Sequence, residues 1–84
     1  MGKYSAMVVV FEAIDNGSLK PSDKREVKSC LVSADSELTC GEIKEFCDYA
    51  SEALDYATDC PETFLAVLAY LGKLAATAKQ RDAS

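Results

Sequence analysis

Histidine and tryptophan are absent from this sequence, and glycine is scarce. Without histidine, the commonest general base and one of the commonest metal ligands are missing. The four glycines stand far apart, at positions 2, 17, 41 and 72, so they cannot build a phosphate-binding loop. No Ser or Cys stands at a spacing that would pair it with an activating base. We therefore expect no enzymatic activity and no resident cofactor.

Long apolar runs are also missing. The apolar stretch over residues 7–11 ends at Glu12, well short of the roughly 18 residues that span a bilayer. The stretch lacks the pattern of a signal peptide, so we expect a cytoplasmic protein without membrane insertion. Asp and Glu (14) outnumber Lys and Arg (9), which gives a net charge of −5. This balance disfavours nucleic-acid binding, which needs clustered basic side chains.

Closely spaced cysteine pairs are missing as well. Cys30, Cys40, Cys47 and Cys60 are separated by ten, seven and thirteen positions, so no C-x-x-C pair exists to nucleate a zinc site. In a reducing compartment these thiols are expected to be free. Cys30 and Cys47 fall on apolar helix faces and are predicted to be small core residues.

The spacing of apolar residues predicts an all-α fold, a compact bundle of about four helices. The first helix is expected over residues 3–14, on the stripe Tyr4, Met7, Val8, Phe11 and Ile14. The second begins near Pro21, which suits a first helical position, and should bury Val27, Cys30, Leu31 and Ala34. Residues 1–78 are predicted to form one domain, and residues 79–84 a frayed polar tail.

Two connections are predicted between these helices. Gly17 should supply a positive φ after the first helix, and residues 33–38 should form a polar linker from which Leu38 turns inward. Thr39 and Glu42 have the spacing of a capping box at the start of the third helix. Its apolar stripe is expected to consist of Ile43, Phe46, Cys47, Ala50, Leu54 and Ala57.

An acidic stripe lies on the other side of the third helix. It consists of Glu45, Asp48, Glu52 and Asp55, which share one helix face. Two interpretations stay open, a solvated helix face and a docking surface for a basic partner or a cation.

The fourth helix, starting near Pro61, is apolar on nearly all sides over residues 64–71. A helix of this kind needs neighbours on more than one side, and four short helices offer few. Two interpretations stay open. The helix is ordinary core, or, as we expect, a protein partner or a second copy, as in a homodimer, covers part of it. The candidate partner-binding residues are Phe64, Leu65, Val67, Leu68, Tyr70 and Leu71.

The turn that follows the first helix carries oxygen-bearing side chains. An EF-hand counted from Asp15 would need Gly at its sixth position, where Lys20 stands, so that motif is excluded. An irregular divalent-cation site remains one interpretation, with Asp15, Asn16, Asp23 and Glu26 as its candidate ligands. A plain helix–turn–helix linker is the other.

The string Ile14-Asp15-Asn16-Gly17-Ser18-Leu19-Lys20, followed by an acid-bearing helix, resembles the TerB-like family of tellurite-resistance proteins. The similarity extends over about residues 4–72 and covers one of that family's two helical halves. It implies an all-α bundle in a cytoplasmic stress response, with acidic surfaces linked to divalent metals at Asp15, Asn16 and Asp23. Asn16 stands where the family usually has Asp. The missing half implies that something else covers the fourth helix.

Three functional hypotheses follow. The first is a TerB-like helical module that acts by protein–protein contact. The second is a small acidic inhibitor of phage or plasmid type that docks on a host enzyme and blocks it. The third is a metal-binding protein or a thiol redox sensor that uses the acidic turn or the cysteines.

Overall fold

The computed structural model describes the backbone of residues 3–83 and the side chains of residues 6–78. Four helices make up this part of the chain and no strand occurs in it: α1 (Lys3–Asn16), α2 (Pro21–Thr39), α3 (Ile43–Tyr56) and α4 (Pro61–Ala83). The predicted all-α bundle of four helices is confirmed. Residues 79–83, predicted as a frayed tail, continue α4 as helix, and Ser84 lies outside the described residues.

The β-branched run in α1 is helical, but its buried face differs from the predicted one. Val10 and Ile14, one turn apart, enter the core with 2% and 0% of their surface exposed. Val8 is 56% exposed, because it stands two residues before buried Val10 and therefore points about 200° around the helix from it. The predicted stripe was therefore wrong at Val8, while Met7 and Phe11 pack partly buried against the core. The Tyr4 side chain lies outside the described residues.

Helix α2 continues through the segment that was predicted as a linker. Ala34 and Leu38 extend the buried stripe begun by Val27 and Leu31, at the spacing of one helix side. Burying each large apolar side chain contributes about 1.5–3 kcal/mol. This burial keeps residues 33–38 helical despite their polar composition. Cys30, Ala34 and Leu38 are buried as predicted.

Helix α2 ends at Thr39 with Cys40 as its C-cap, and Gly41 follows as the one described glycine with a positive φ, of 82°. The Gly41 N–H donates to the Leu38 carbonyl at 3.1 Å, and the Glu42 N–H donates to the Glu37 carbonyl at 2.9 Å. These two bonds form a Schellman motif. The predicted capping box was wrong, since Thr39 still belongs to α2 and its hydroxyl donates to the Asp35 carbonyl at 2.9 Å. Glu42 precedes α3 without a side-chain cap.

Helix α3 buries a narrower face than the sequence suggested. Its buried side chains are Phe46 and Ala53, and the buried Ala57 follows directly at the helix end. Ile43, the first helical residue, is 55% exposed. Cys47 is also exposed, because it lies one residue round the helix from Phe46. Its prediction as a core residue was wrong.

The helices pack mainly as two pairs, α2 against α3 and α1 against α4. Helices α1 and α4 run antiparallel, because Gly17 at the end of α1 lies beside Thr63 at the start of α4. The Cα atoms extend 40 × 26 × 16 Å. The shortest dimension corresponds to about two packed helices, so each helix keeps a side open to solvent.

Candidate functional site

The partner-binding residues predicted on α4 separate into two groups in the fold. Val67, Tyr70 and Leu71 are 0%, 2% and 6% exposed, because they face the domain's own core. This corrects the predicted surface, since those three side chains are not accessible to a partner. Phe64 is half-buried against the same core. Leu65 and Leu68 are 63% and 47% exposed and remain as candidates.

Three further exposed residues join these two leucines. Ala69 and Gly72 lie on the same side of α4, at spacings of three and four residues. Val9 of α1 is 66% exposed and lines a shallow groove of about 120 Å³ between α1 and α4, together with Ala69 and Lys73. We call Val9, Leu65, Leu68, Ala69 and Gly72 the apolar face. A patch of this composition on a small domain is typical of an interaction surface.

Two opposite charges border the apolar face. Glu62 lies in the first turn of α4, and Lys73 lines the groove towards α1. Both are exposed, and they stand eleven residues apart, which is close to three full helical turns. They therefore occupy the same side of α4, at the two ends of the apolar face.

The acidic stripe predicted on α3 is exposed along its whole length. Glu45, Asp48, Glu52 and Asp55 all face solvent. Lys44 Nζ lies 3.5 Å from an Asp48 carboxylate oxygen, an i, i+4 pair between two exposed side chains. Such a pair contributes about 0.3–0.5 kcal/mol.

The side chains proposed as cation ligands do not converge. The Asp15 carboxylate forms an ion pair with Lys28 of α2, and Lys24 Nζ donates to the Asp15 carbonyl at 2.8 Å. Asn16 and Glu26 are exposed, and Asp23 is half-buried. Among the described residues, no group of three or more His, Cys, Asp or Glu side chains could hold a metal ion. In this fold, Asp15 joins α1 to α2 and the two lysines complement the negative end of the α1 dipole.

A cluster around Cys60 is the feature that the sequence left unmarked. Cys60 precedes α4 and is 5% exposed. Its sulfur accepts hydrogen bonds from the hydroxyls of Ser18, at 3.5 Å, and of fully buried Thr63, at 3.2 Å. Ser18 stands 42 residues away in the chain. The cluster therefore fastens the α1–α2 turn to the start of α4.

The hydrogen bonds in this cluster favour the charged form of the thiol. Those from the Ser18 and Thr63 hydroxyls, followed by those from their backbone N–H groups, lower the Cys60 pKa to about 6, although burial opposes this. Cys30 behaves in the opposite way, because burial and then the charges of Glu52 and Glu26 raise its pKa to about 11. All four cysteines are free thiols.

Sequence patterns could have signalled only part of this cluster. Pro61 marks a helix start. At such a start, the residue before the helix, here Cys60, commonly contacts the third helical residue, here Thr63. Ser18 and Gly17 belong to a distant turn, so only the tertiary fold brings them in. Of the apolar face, Leu65 and Leu68 were among the residues predicted from the sequence. Ala69, Gly72 and Val9 were not.

Comparisons of this chain with protein-family profiles, with curated proteins and with solved structures find no match. The resemblance to the TerB-like family therefore stays a prediction. Among the described residues, no helix combines the length and hydropathy needed to cross a membrane.

Proposed function

We propose that this protein is a non-enzymatic helical interaction module that acts by protein–protein contact through the apolar face. The observation that carries this proposal is the exposure of Val9, Leu65 and Leu68, at 66%, 63% and 47%, on a domain with a net charge of −5. Each large apolar side chain that a partner covers would contribute about 1–2 kcal/mol to binding, in proportion to its exposed area.

The charges of the domain support the choice of this surface. The chain carries a net charge of −5, and the acidic stripe of α3 is solvated along its length. On α4, the apolar face has one acidic and one basic neighbour, Glu62 and Lys73, whose charges are opposite. Covering its apolar side chains costs little desolvation, because they make no hydrogen bonds with water.

Two of the three hypotheses drawn from the sequence require such a surface. A TerB-like module in a stress response and an inhibitor that docks on a host enzyme each act by covering part of another protein. A partner would gain most of its apolar contact on α4 from Leu65 and Leu68, because they are the large exposed apolar side chains of that helix.

Affinity capture with matched variants tests the proposal. Leu68→Glu places a charge on the apolar face, whereas Val32→Glu places the same charge on α2 at nearly equal exposure, 47% against 49%. We expect the tagged wild type and Val32→Glu to retain a protein, either a second copy or another chain. Leu68→Glu should retain at least about tenfold less of that protein, which corresponds to a loss of about 1.4 kcal/mol in binding free energy. Equal retention by both variants would contradict the proposal.

A further inference from the structure

The positions of Glu62 and Lys73 restrict what can cover the apolar face. The two residues lie on the same side of α4, about 16 Å apart along the helix axis. A parallel α4 helix from a second copy would place Glu62 against Glu62 and Lys73 against Lys73. An antiparallel one would place each Glu62 opposite Lys73 of the second copy. The charges of this chain therefore complement its own antiparallel α4.

The apolar residues of α4 are centred at nearly the same point along the helix as the pair Glu62 and Lys73. The midpoint between Glu62 and Lys73 falls between Val67 and Leu68, and the midpoint between Leu65 and Gly72 falls between Leu68 and Ala69. One two-fold axis near Leu68 therefore satisfies both the charge pairs and the apolar contact. Gly72 has no side chain and Ala69 has only a methyl group, so two helices can approach closely where Leu65 of the second copy has to fit.

We propose that the apolar face is occupied by a second copy of this chain, in an antiparallel α4–α4 contact around a two-fold axis near Leu68. This inference rests on the proposed function and names the partner. Two copies that each carry −5 repel one another over most of their surfaces. An antiparallel contact at the apolar face offsets part of that repulsion, because Glu62 and Lys73 have opposite charges and form two symmetric ion pairs in the dimer.

Sedimentation equilibrium of the full chain with charge-reversal variants tests the arrangement. The wild type should dimerise reversibly. Glu62→Lys and Lys73→Glu, made singly, should each weaken the dimer about tenfold, because each variant turns two attractive pairs into repulsive ones. The double variant should recover most of the wild-type affinity. Glu45→Lys, on exposed α3, is the control, since it changes the net charge as Glu62→Lys does and should leave the dimer unchanged or slightly stronger.

The outcomes separate the dimer from the broader function. A wild-type monomer at all concentrations up to about 1 mM would overturn the dimer, since binding free energy is then weaker than about −4 kcal/mol. A dimer that ignores both single reversals, or that the double variant fails to restore, would overturn the antiparallel contact. If the chain stays monomeric but still captures another protein in a Leu68-dependent way, the proposed function stands and only the self-pairing fails.

Discussion

Thr63 Oγ1 occupies the space that a side chain at Gly17 would need. A Cβ built on Gly17 would lie 2.3 Å from that oxygen, and the Gly17 backbone has no positive φ. From the sequence, we expected the turn to need a glycine at position 17 because its backbone would adopt a positive φ. The structure shows a steric requirement instead, because the turn after α1 packs directly on the first turn of α4.

Gly17→Ala should therefore destabilise the domain by about 1–3 kcal/mol, because Thr63 must move and its hydrogen bond to Cys60 is lost. Gly72→Ala is the matched control. A Cβ there meets nothing within 4 Å, and alanine favours a helix interior by about 0.8–1 kcal/mol. Urea unfolding at low protein concentration compares the two. A Gly17→Ala protein as stable as the wild type would contradict the close packing.

The Cys60 thiol should make stability depend on pH. Its pKa is lowered from 9.0 to about 6 in the folded protein. The thiolate therefore stabilises the fold fully above pH 9, and this contribution declines as pH falls and is lost below about pH 6. The measurement is the difference in unfolding free energy between the wild type and Cys60→Ser, which should shrink from pH 9 to pH 6. A difference that is constant over this window would exclude the shifted pKa.

Ser18 provides a direct check on the cause of that shift. Its hydroxyl is the first contributor to the lowered Cys60 pKa. Ser18→Ala should therefore move the ultraviolet titration of the Cys60 thiolate to higher pH. Ser29→Ala, at another exposed serine, is the control and should leave the titration unchanged.

The Tyr70 hydroxyl is enclosed without a hydrogen-bond partner among the described residues. Burial, followed by the negative charge of Asp35, raises the Tyr70 pKa to about 12. Removing an unsatisfied buried hydroxyl removes a desolvation cost. We expect Tyr70→Phe to leave thermal stability unchanged or to raise it by about 1 kcal/mol. Tyr49→Phe, at a half-buried position, is the control and should have little effect on thermal stability. Clear destabilisation by Tyr70→Phe alone would show that the hydroxyl is bonded.

The end of α2 gives a test of the Schellman motif against the predicted capping box. Gly41→Ala forces an L-residue into the left-handed region and should cost about 1–2 kcal/mol. Thr39→Ala removes the residue that a capping box would need, and should change stability by less than about 0.5 kcal/mol. Unfolding free energies with the reverse order would favour the capping box.

Local patterns were sufficient where one helix face is buried along its length. The stripe Val27, Leu31 and Ala34 follows helical spacing, and Pro21 and Pro61 mark two helix starts correctly. The error at residues 33–38 arose because their composition is polar. Ala34 and Leu38 are buried there, and tertiary burial overrides composition.

The candidate site was less predictable, because α4 is apolar on nearly all sides over residues 64–71. Periodicity cannot tell which side of such a helix meets the core, so Leu65 and Tyr70 look equivalent in the sequence. Their exposures, 63% and 2%, are decided by where α1, α2 and α3 pack. The same reason applies to Val9 and to the distant contact between Ser18 and Cys60.

Site-specific photo-crosslinking in the source cell tests the central claim, that the apolar face is where this protein binds. A benzophenone amino acid would replace Leu65 on the apolar face or, as the control, Val32 on α2. The account predicts a protein adduct at position 65, with a second copy as its partner, and none at position 32. No adduct at position 65, or equal adducts at both positions, would contradict it.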